Sequence, residues 1–116
     1  MNSPARQIFS YFDASNQRDF EAIEAMLYDE IEYNSDNAGS HRGKETVLEM
    51  MHGFFAQFSE ITWTIDALLN DTEQSAEVAF TCRATRVDGS TLLRRGYESV
   101  ELCDGKISRI VVRSQS

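Results

Sequence analysis

From Ile61 to Arg113 the chain reads as four alternating segments joined by short polar turns, and this run constrains the fold more than any other feature. In "ITWTIDALL", Ile61, Trp63 and Ile65 alternate with threonines and Asp66; "SAEVAFTCRATRV", "TLLRRGYESVELC" and "KISRIVVR" follow. A period of two marks strands with one buried face. Asp88-Gly89 and Asp104-Gly105 fall between successive segments, and Asp-Gly readily adopts the positive φ that tight hairpins require. The second half of the chain is therefore expected to be an antiparallel meander.

The first half reads as helices around one short strand. Ser3 before Pro4 is a helix start, the serine capping and the proline sitting where its missing N–H is not needed. Ile8, Tyr11, Phe12 and Ser15 then share a face. "NQRD" ends that helix, and Asp19 can cap a second that carries Phe20, Ile23 and Leu27. "EIEYNS" alternates like a half-buried strand, and "DNAGSHRG" reads as a loop. From Lys44 a third helix places Val47, Met51, Phe54, Phe55 and Phe58 on one stripe, suited to packing on a sheet. The order predicts an α+β fold, three N-terminal helices packed on one concave face of the meander, in a single domain over 1–116.

The 116 residues suffice for one core with a small cavity in it. A net charge of -8, with no long basic cluster, argues against nucleic acid and anionic membranes as partners. "MNSPARQIF" lacks a charged segment followed by an apolar run, and no stretch reaches membrane-spanning length, so a cytoplasmic protein is expected. Cys82 and Cys103 lie in strand-like segments and read as buried thiols. No ligand-spaced set of histidines, cysteines or carboxylates, Gly-rich phosphate loop or nucleophile elbow occurs, so neither a metal nor a cofactor is expected.

Glu98 breaks the pattern. It shares one strand face with Val100 and Leu102, while Tyr97, Ser99 and Glu101 point the other way. A buried carboxylate needs a partner, a proton or a solvent-lined pocket. Two readings stand: an acid with a raised pKa facing a pocket, or one half of an ion pair with Arg94, four residues along the same face, or with another arginine from a neighbouring strand.

The element order, together with "YFDASNQRDFEAIEAMLYDEIEY", "HRGKETVLEMMHGFF" and "YESVELCDGKISRIVVR", resembles the SnoaL-like proteins of the nuclear transport factor 2-like superfamily, which includes ketosteroid isomerases and polyketide cyclases. The resemblance implies a cone-shaped α+β barrel, a strongly curved, mostly antiparallel sheet wrapped around the third helix, with an apolar pocket near the first helix and the loop before Gly43. It also implies a homodimer through the outer sheet face, where Thr62, Thr64, Thr81, Arg83, Thr85, Tyr97 and Ser99 would lie.

In the isomerase branch a tyrosine on the first helix and a protonated acid on a late strand hold an enolate oxygen, while an aspartate after the first strand moves the proton. By this resemblance Tyr11 matches the helix tyrosine and Glu98 the late-strand acid, which in the cyclase-like branch can itself be the base. The aspartate position falls on Ser35 or Asn34, neither of which titrates usefully; Asp36, adjacent, serves only if its loop turns it inward. The remaining constellation is Glu98, Tyr11, Tyr33 and His41, with Met51, Phe54, Phe55, Trp63 and Phe80 as an apolar wall. Tyr11 could equally be a core tyrosine, His41 a surface residue of its loop; His52 is expected on a helix surface. The function implied is binding of a small apolar molecule, with isomerase, cyclase or hydrolase-like acid–base chemistry on Glu98. The rival is a non-catalytic association module of the same fold.

Overall fold

Two of the three helices begin where a side chain takes up a free backbone N–H. In the computed structural model, which describes residues 3–115, the Ser3 hydroxyl accepts from the Arg6 N–H at the start of helix α1 (Pro4–Asn16). The Asp19 carboxylate accepts from Ala22 N–H at the start of α2 (Phe20–Met26). Helix α3 (Lys44–Phe55) instead starts at Gly43, whose φ of 93° lies in the left-handed region that favours glycine.

Three local expectations shift. Leu27, expected on the second helix, is the first residue of strand β1 (Leu27–Ser35). The expected loop "DNAGSHRG" contains a short strand, β2 (Gly39–Arg42), antiparallel to β1 with His41 opposite Tyr33. Phe58, read as the end of the third helical stripe, begins β3 (Phe58–Asp71). Strands β4 (Ser75–Arg86), β5 (Thr91–Cys103) and β6 (Lys106–Ser114) follow among the described residues. Asp104 and Gly105 both take positive φ in the β5–β6 turn, as the dipeptide suggested.

The six strands form one sheet in the order β2-β1-β6-β5-β4-β3. All neighbours are antiparallel except β1 and β6, which run parallel and bring the chain's first strand beside its last. Register shifts interrupt β3 against β4 at three places and β5 against β6 at one. Such bulges add local twist and bend a sheet.

Helix α1 lies against β3, β4 and β5, and α3 against β1 and β2 with a smaller contact on β3. Helix α1 thus covers the middle of the meander, while α3 touches both ends of the sheet order, β2 and β1 on one side and β3 on the other. Strand β3 is an edge, and α1 closes part of it. The Asn16 side chain both donates to Trp63 C=O and accepts from Trp63 N–H, at 2.9 and 2.8 Å. Arg18, next in the turn, donates to Phe58 C=O at 2.8 Å. These bonds satisfy backbone groups that an edge otherwise offers to another chain. Among the described residues no helix is long and apolar enough to cross a membrane.

The largest fully enclosed side chains are all aliphatic: Ile8, Ile23, Leu27, Ile31, Val47, Val78, Val100, Ile107 and Ile110. Branched aliphatics interdigitate without voids. The aromatic side chains collect elsewhere in the interior, and there the packing leaves space.

Gly96 lies on the inner face of β5 opposite Phe80, and a Cβ there would press on the Arg113 carbonyl oxygen and meet Phe80 Cζ at 3.1 Å and Ser114 Cα at 3.2 Å. An isolated glycine inside a strand marks such a close approach. Gly96→Ala is expected to lower the unfolding free energy by about 1–3 kcal/mol in a denaturant titration; unchanged stability would mean that β6 has room to move away.

Candidate functional site

Strand parity puts Arg94, Gly96, Glu98 and Val100 of β5 on the face turned to the helices. Glu98 is flanked across the sheet by Val78 of β4 and Val112 of β6. Neither neighbour offers a charge or a hydrogen bond, and the residue is only 6% exposed. The ion pairs among the described residues are Arg42–Glu32, Lys44–Asp29 and Arg109–Glu101, so no cation lies within 4 Å of Glu98. The reading of Glu98 as one half of an ion pair with Arg94 is thereby excluded.

The Glu98 carboxyl opens on an internal cavity, with about 70 Å³ open to the centre of a water molecule. This is room for several waters or a small organic molecule. Helix α1 contributes Tyr11, Phe12 and Ser15; α3 contributes Met50, Met51, Phe54 and Phe55. The sheet adds Tyr33, Ser35, Trp63, Phe80, Cys82, Arg94, Glu98 and Val112, and Asn37 and Ala38 of the β1–β2 turn complete the lining. No fully enclosed side-chain oxygen or nitrogen lacks a hydrogen-bond partner among the described residues. Glu98 obeys this rule by facing space that water or a ligand can fill.

Burial alone pushes the Glu98 pKa from 4.5 up to about 8. At neutral pH the neutral acid therefore outnumbers the carboxylate by about tenfold. Burial first, and the charge of Glu98 second, raise the pKa of both Tyr11 and Tyr33 above the ordinary phenol value. Both tyrosines thus remain O–H donors and lie within electrostatic reach of the acid. The Cys82 thiol is pushed up to about 11, mainly by burial, against a lowering pull from Arg94. It stays protonated and packs as a small apolar group, as its strand parity suggests.

All five apolar residues expected in the wall, Met51, Phe54, Phe55, Trp63 and Phe80, line the cavity, together with Tyr11, Tyr33 and Glu98. Two expected residues stand apart. His41, in strand β2 rather than a loop, packs beside Tyr33 with ring centroids 6.4 Å apart, and its Nε2 lies 2.7 Å from Ala38 C=O. It backs the cavity wall without lining it. Asp36 does not turn inward: it is exposed, and its carboxylate accepts from the Ser114 N–H at 2.7 Å and from Asn37 Nδ2 at 3.1 Å. That anchors the β1–β2 turn to the end of β6. His52 is on the helix surface, stacked on Phe20 at 3.9 Å.

Arg94 and Ser35 line the cavity although neither is expected there as a binding residue. Arg94 was weighed only as a partner for Glu98. The Ser35 hydroxyl also accepts the Asn37 and Ala38 N–H groups, shaping the turn. The isolated Gly96 is the signal that was available, since it leaves bare backbone on the inner face between Arg94 and Glu98. Among the described residues no group of three or more histidines, cysteines or carboxylates is placed to hold a metal ion.

Comparison with known proteins gives a consistent answer. The profile of the SnoaL-like domain family matches residues 8–110. An NTF2-like protein of unknown function from Exiguobacterium sp. 255-15 superposes with a TM-score of 0.83 at 19% identity, over 95% of this chain and 98% of that one. A LEH-like epoxide hydrolase of M. tuberculosis gives 0.81 at 15% identity, over 95% and 80%. TerC, co-crystallized with polyporic acid, gives 0.83 at 16% identity, over 97% and 91%. At these identities the likeness is one of fold. No curated protein matches the sequence.

The buried acid gives stability a characteristic pH dependence. Glu98 has a folded pKa above its unfolded value, so the folded chain holds the proton longer, and stability falls as pH rises from about 4.5 to about 8. Below that window both states are protonated and the penalty is absent; above it the full penalty, on the order of several kcal/mol, remains. Thermal unfolding of the wild type is expected to drop by at least about 5 °C more than that of Glu98→Gln between about pH 5 and pH 8.5. Parallel profiles for the two proteins would show that the carboxyl is not desolvated.

Proposed function

This chain belongs to the SnoaL-like domain family, and from that premise we propose that it binds a small, largely apolar molecule in the internal cavity and acts on it by general acid–base chemistry centred on Glu98. The observation that carries the reading is a buried acid with no counter-ion that faces open space. A structural carboxylate is ordinarily paired, whereas an unpaired one in a hollow holds an exchangeable proton near neutral pH.

In this reading the ligand presents a carbonyl or hydroxyl oxygen to the acid. Protonated Glu98 transfers its proton to that oxygen, leaving a carboxylate, and the Tyr11 and Tyr33 hydroxyls donate hydrogen bonds to the same oxygen without reorganisation. The carboxylate left behind can then take a proton from another atom of the ligand, which is the common element of isomerase, cyclase and hydrolase-like steps. Met51, Phe54, Phe55, Trp63 and Phe80 hold the apolar body and exclude water. His41 supports Tyr33 from behind.

The non-catalytic reading gains support from the outer face of β5, where Leu93 and Tyr97 are 54% and 37% exposed. We place a homodimer contact there, among the polar residues expected for it, and it is compatible with either reading. An interior filled by its own side chains would have favoured association alone; the cavity favours a ligand. Two free cysteines, Cys82 and Cys103, fit a cytoplasmic setting.

A thermal-shift screen of steroid-like, terpenoid and aromatic polyketide compounds is expected to yield stabilisers by mass action. For a compound that is turned over, Glu98→Gln should cut kcat by about 100-fold or more, and Tyr11→Phe should weaken binding by roughly tenfold. A broad screen without a single stabiliser removes the ligand reading and leaves the association module.

A further inference from the structure

Arg94 is the one cationic side chain among the cavity-lining residues, and the acid–base reading gives it no task. It sits on the inner face of β5, half-buried, directly opposite Cys82 of β4. Its charge is felt at the Cys82 thiol, whereas burial is the only cause acting on the Glu98 pKa. The guanidinium thus lies near Cys82 and is not paired with the acid. Spacing explains this: four residues of extended strand separate the two Cα atoms by about 13 Å.

Five of the other arginines spend their N–H groups within the protein, and the remaining three, Arg6, Arg83 and Arg95, have no such partner among the described residues but are exposed. Arg18 donates to Phe58 C=O, Arg86 to the Ser90 hydroxyl and Arg113 to Val112 C=O. Arg109 pairs with Glu101 and Arg42 with Glu32. Among the described residues, Arg94 has no ion-pair partner and makes no side-chain hydrogen bond. A guanidinium carries five donors in a planar fork, matched to a carboxylate, and its interactions strengthen as water is withdrawn. Gly96, between Arg94 and Glu98 on the same face, contributes no side chain of its own, and the Phe80 ring from β4 lies over it.

We propose that the cavity selects an acid: a ligand whose carboxylate pairs with Arg94 at one end while its carbonyl or hydroxyl oxygen meets Glu98 at the other, with an apolar ring or chain between. The inference rests on the ligand-binding reading above and narrows its substrate class to small, largely apolar acids. Arg94 acts as the residue that fixes orientation and discriminates against neutral analogues; Glu98 keeps the proton chemistry. The bulk charge of -8 opposes entry of an anion, so the preference must come from the cavity itself.

Calorimetric titration of the wild type at neutral pH with trans-4-hydroxycinnamate and with its neutral amide tests this directly. The acid is expected to bind at least tenfold more tightly than the amide, by a margin that shrinks as salt is added. Arg94→Gln should abolish that margin and leave amide affinity within about twofold, while Arg94→Lys should retain part of it. Equal affinity of acid and amide for the wild type would overturn the anion inference and leave the cavity reading standing. Binding of neither probe would count against both. Equal loss of acid and amide in Arg94→Gln, in a variant that keeps its wild-type unfolding temperature, would reduce Arg94 to a packing residue and defeat the proposal.

Discussion

Withdrawing the Glu98 carboxyl from bulk water without supplying a cation is the constraint around which the interior is organised. The strands on either side offer only Val78 and Val112, and Arg94 is displaced too far along β5 to neutralise the acid. The carboxyl is tolerated because it can keep its proton, and because the space before it is not filled. The aliphatic side chains pack into a solid region, while the aromatic ones border the hollow. A pair with Arg94 would have fixed the charge on Glu98 permanently; its absence keeps protonation an equilibrium near neutral pH.

Much of this was legible in the sequence because the signals were local. Ser3, Asp19 and Asp104-Gly105 each act within a few residues, and the cap or turn they specify is determined by chemistry that no distant contact overrides. Parity along β5 was enough to put Glu98 inside, and helical spacing was enough to put Met51, Phe54 and Phe55 on one face. Strand β2 was not legible, since "GSHR" has no apolar alternation and is a strand only because β1 lies beside it. The fate of Arg94 was hidden for a related reason. Shared parity with Glu98 says that two side chains face the same way, not that they reach each other. Asp36 is held outward by Ser114, a residue far along the chain that no count of loop positions could bring to it.

The neighbours in fold show how little the architecture fixes by itself. A protein of unknown function and an epoxide hydrolase share this sheet and these helices at less than one-fifth identity. What distinguishes one such cone from another is the handful of polar side chains turned into it and the distances between them. Here they include an acid, two phenols and a guanidinium, set on three different elements in a largely apolar wall.

The parallel pairing of β1 with β6 has a consequence for how the chain assembles. Tyr33 and Ile110 are neighbours in the sheet although they stand about 80 residues apart in sequence. Hairpins β3–β4, β4–β5 and β5–β6 can each zip up from a local turn, but the seam that joins them to the first strand must close a loop of most of the chain. Since Tyr33 belongs to the early half and Glu98 to the late one, the hollow comes into existence only when that last seam closes. A nascent chain would hold the two walls of its own binding chamber as separate, unjoined pieces until its final strand arrives.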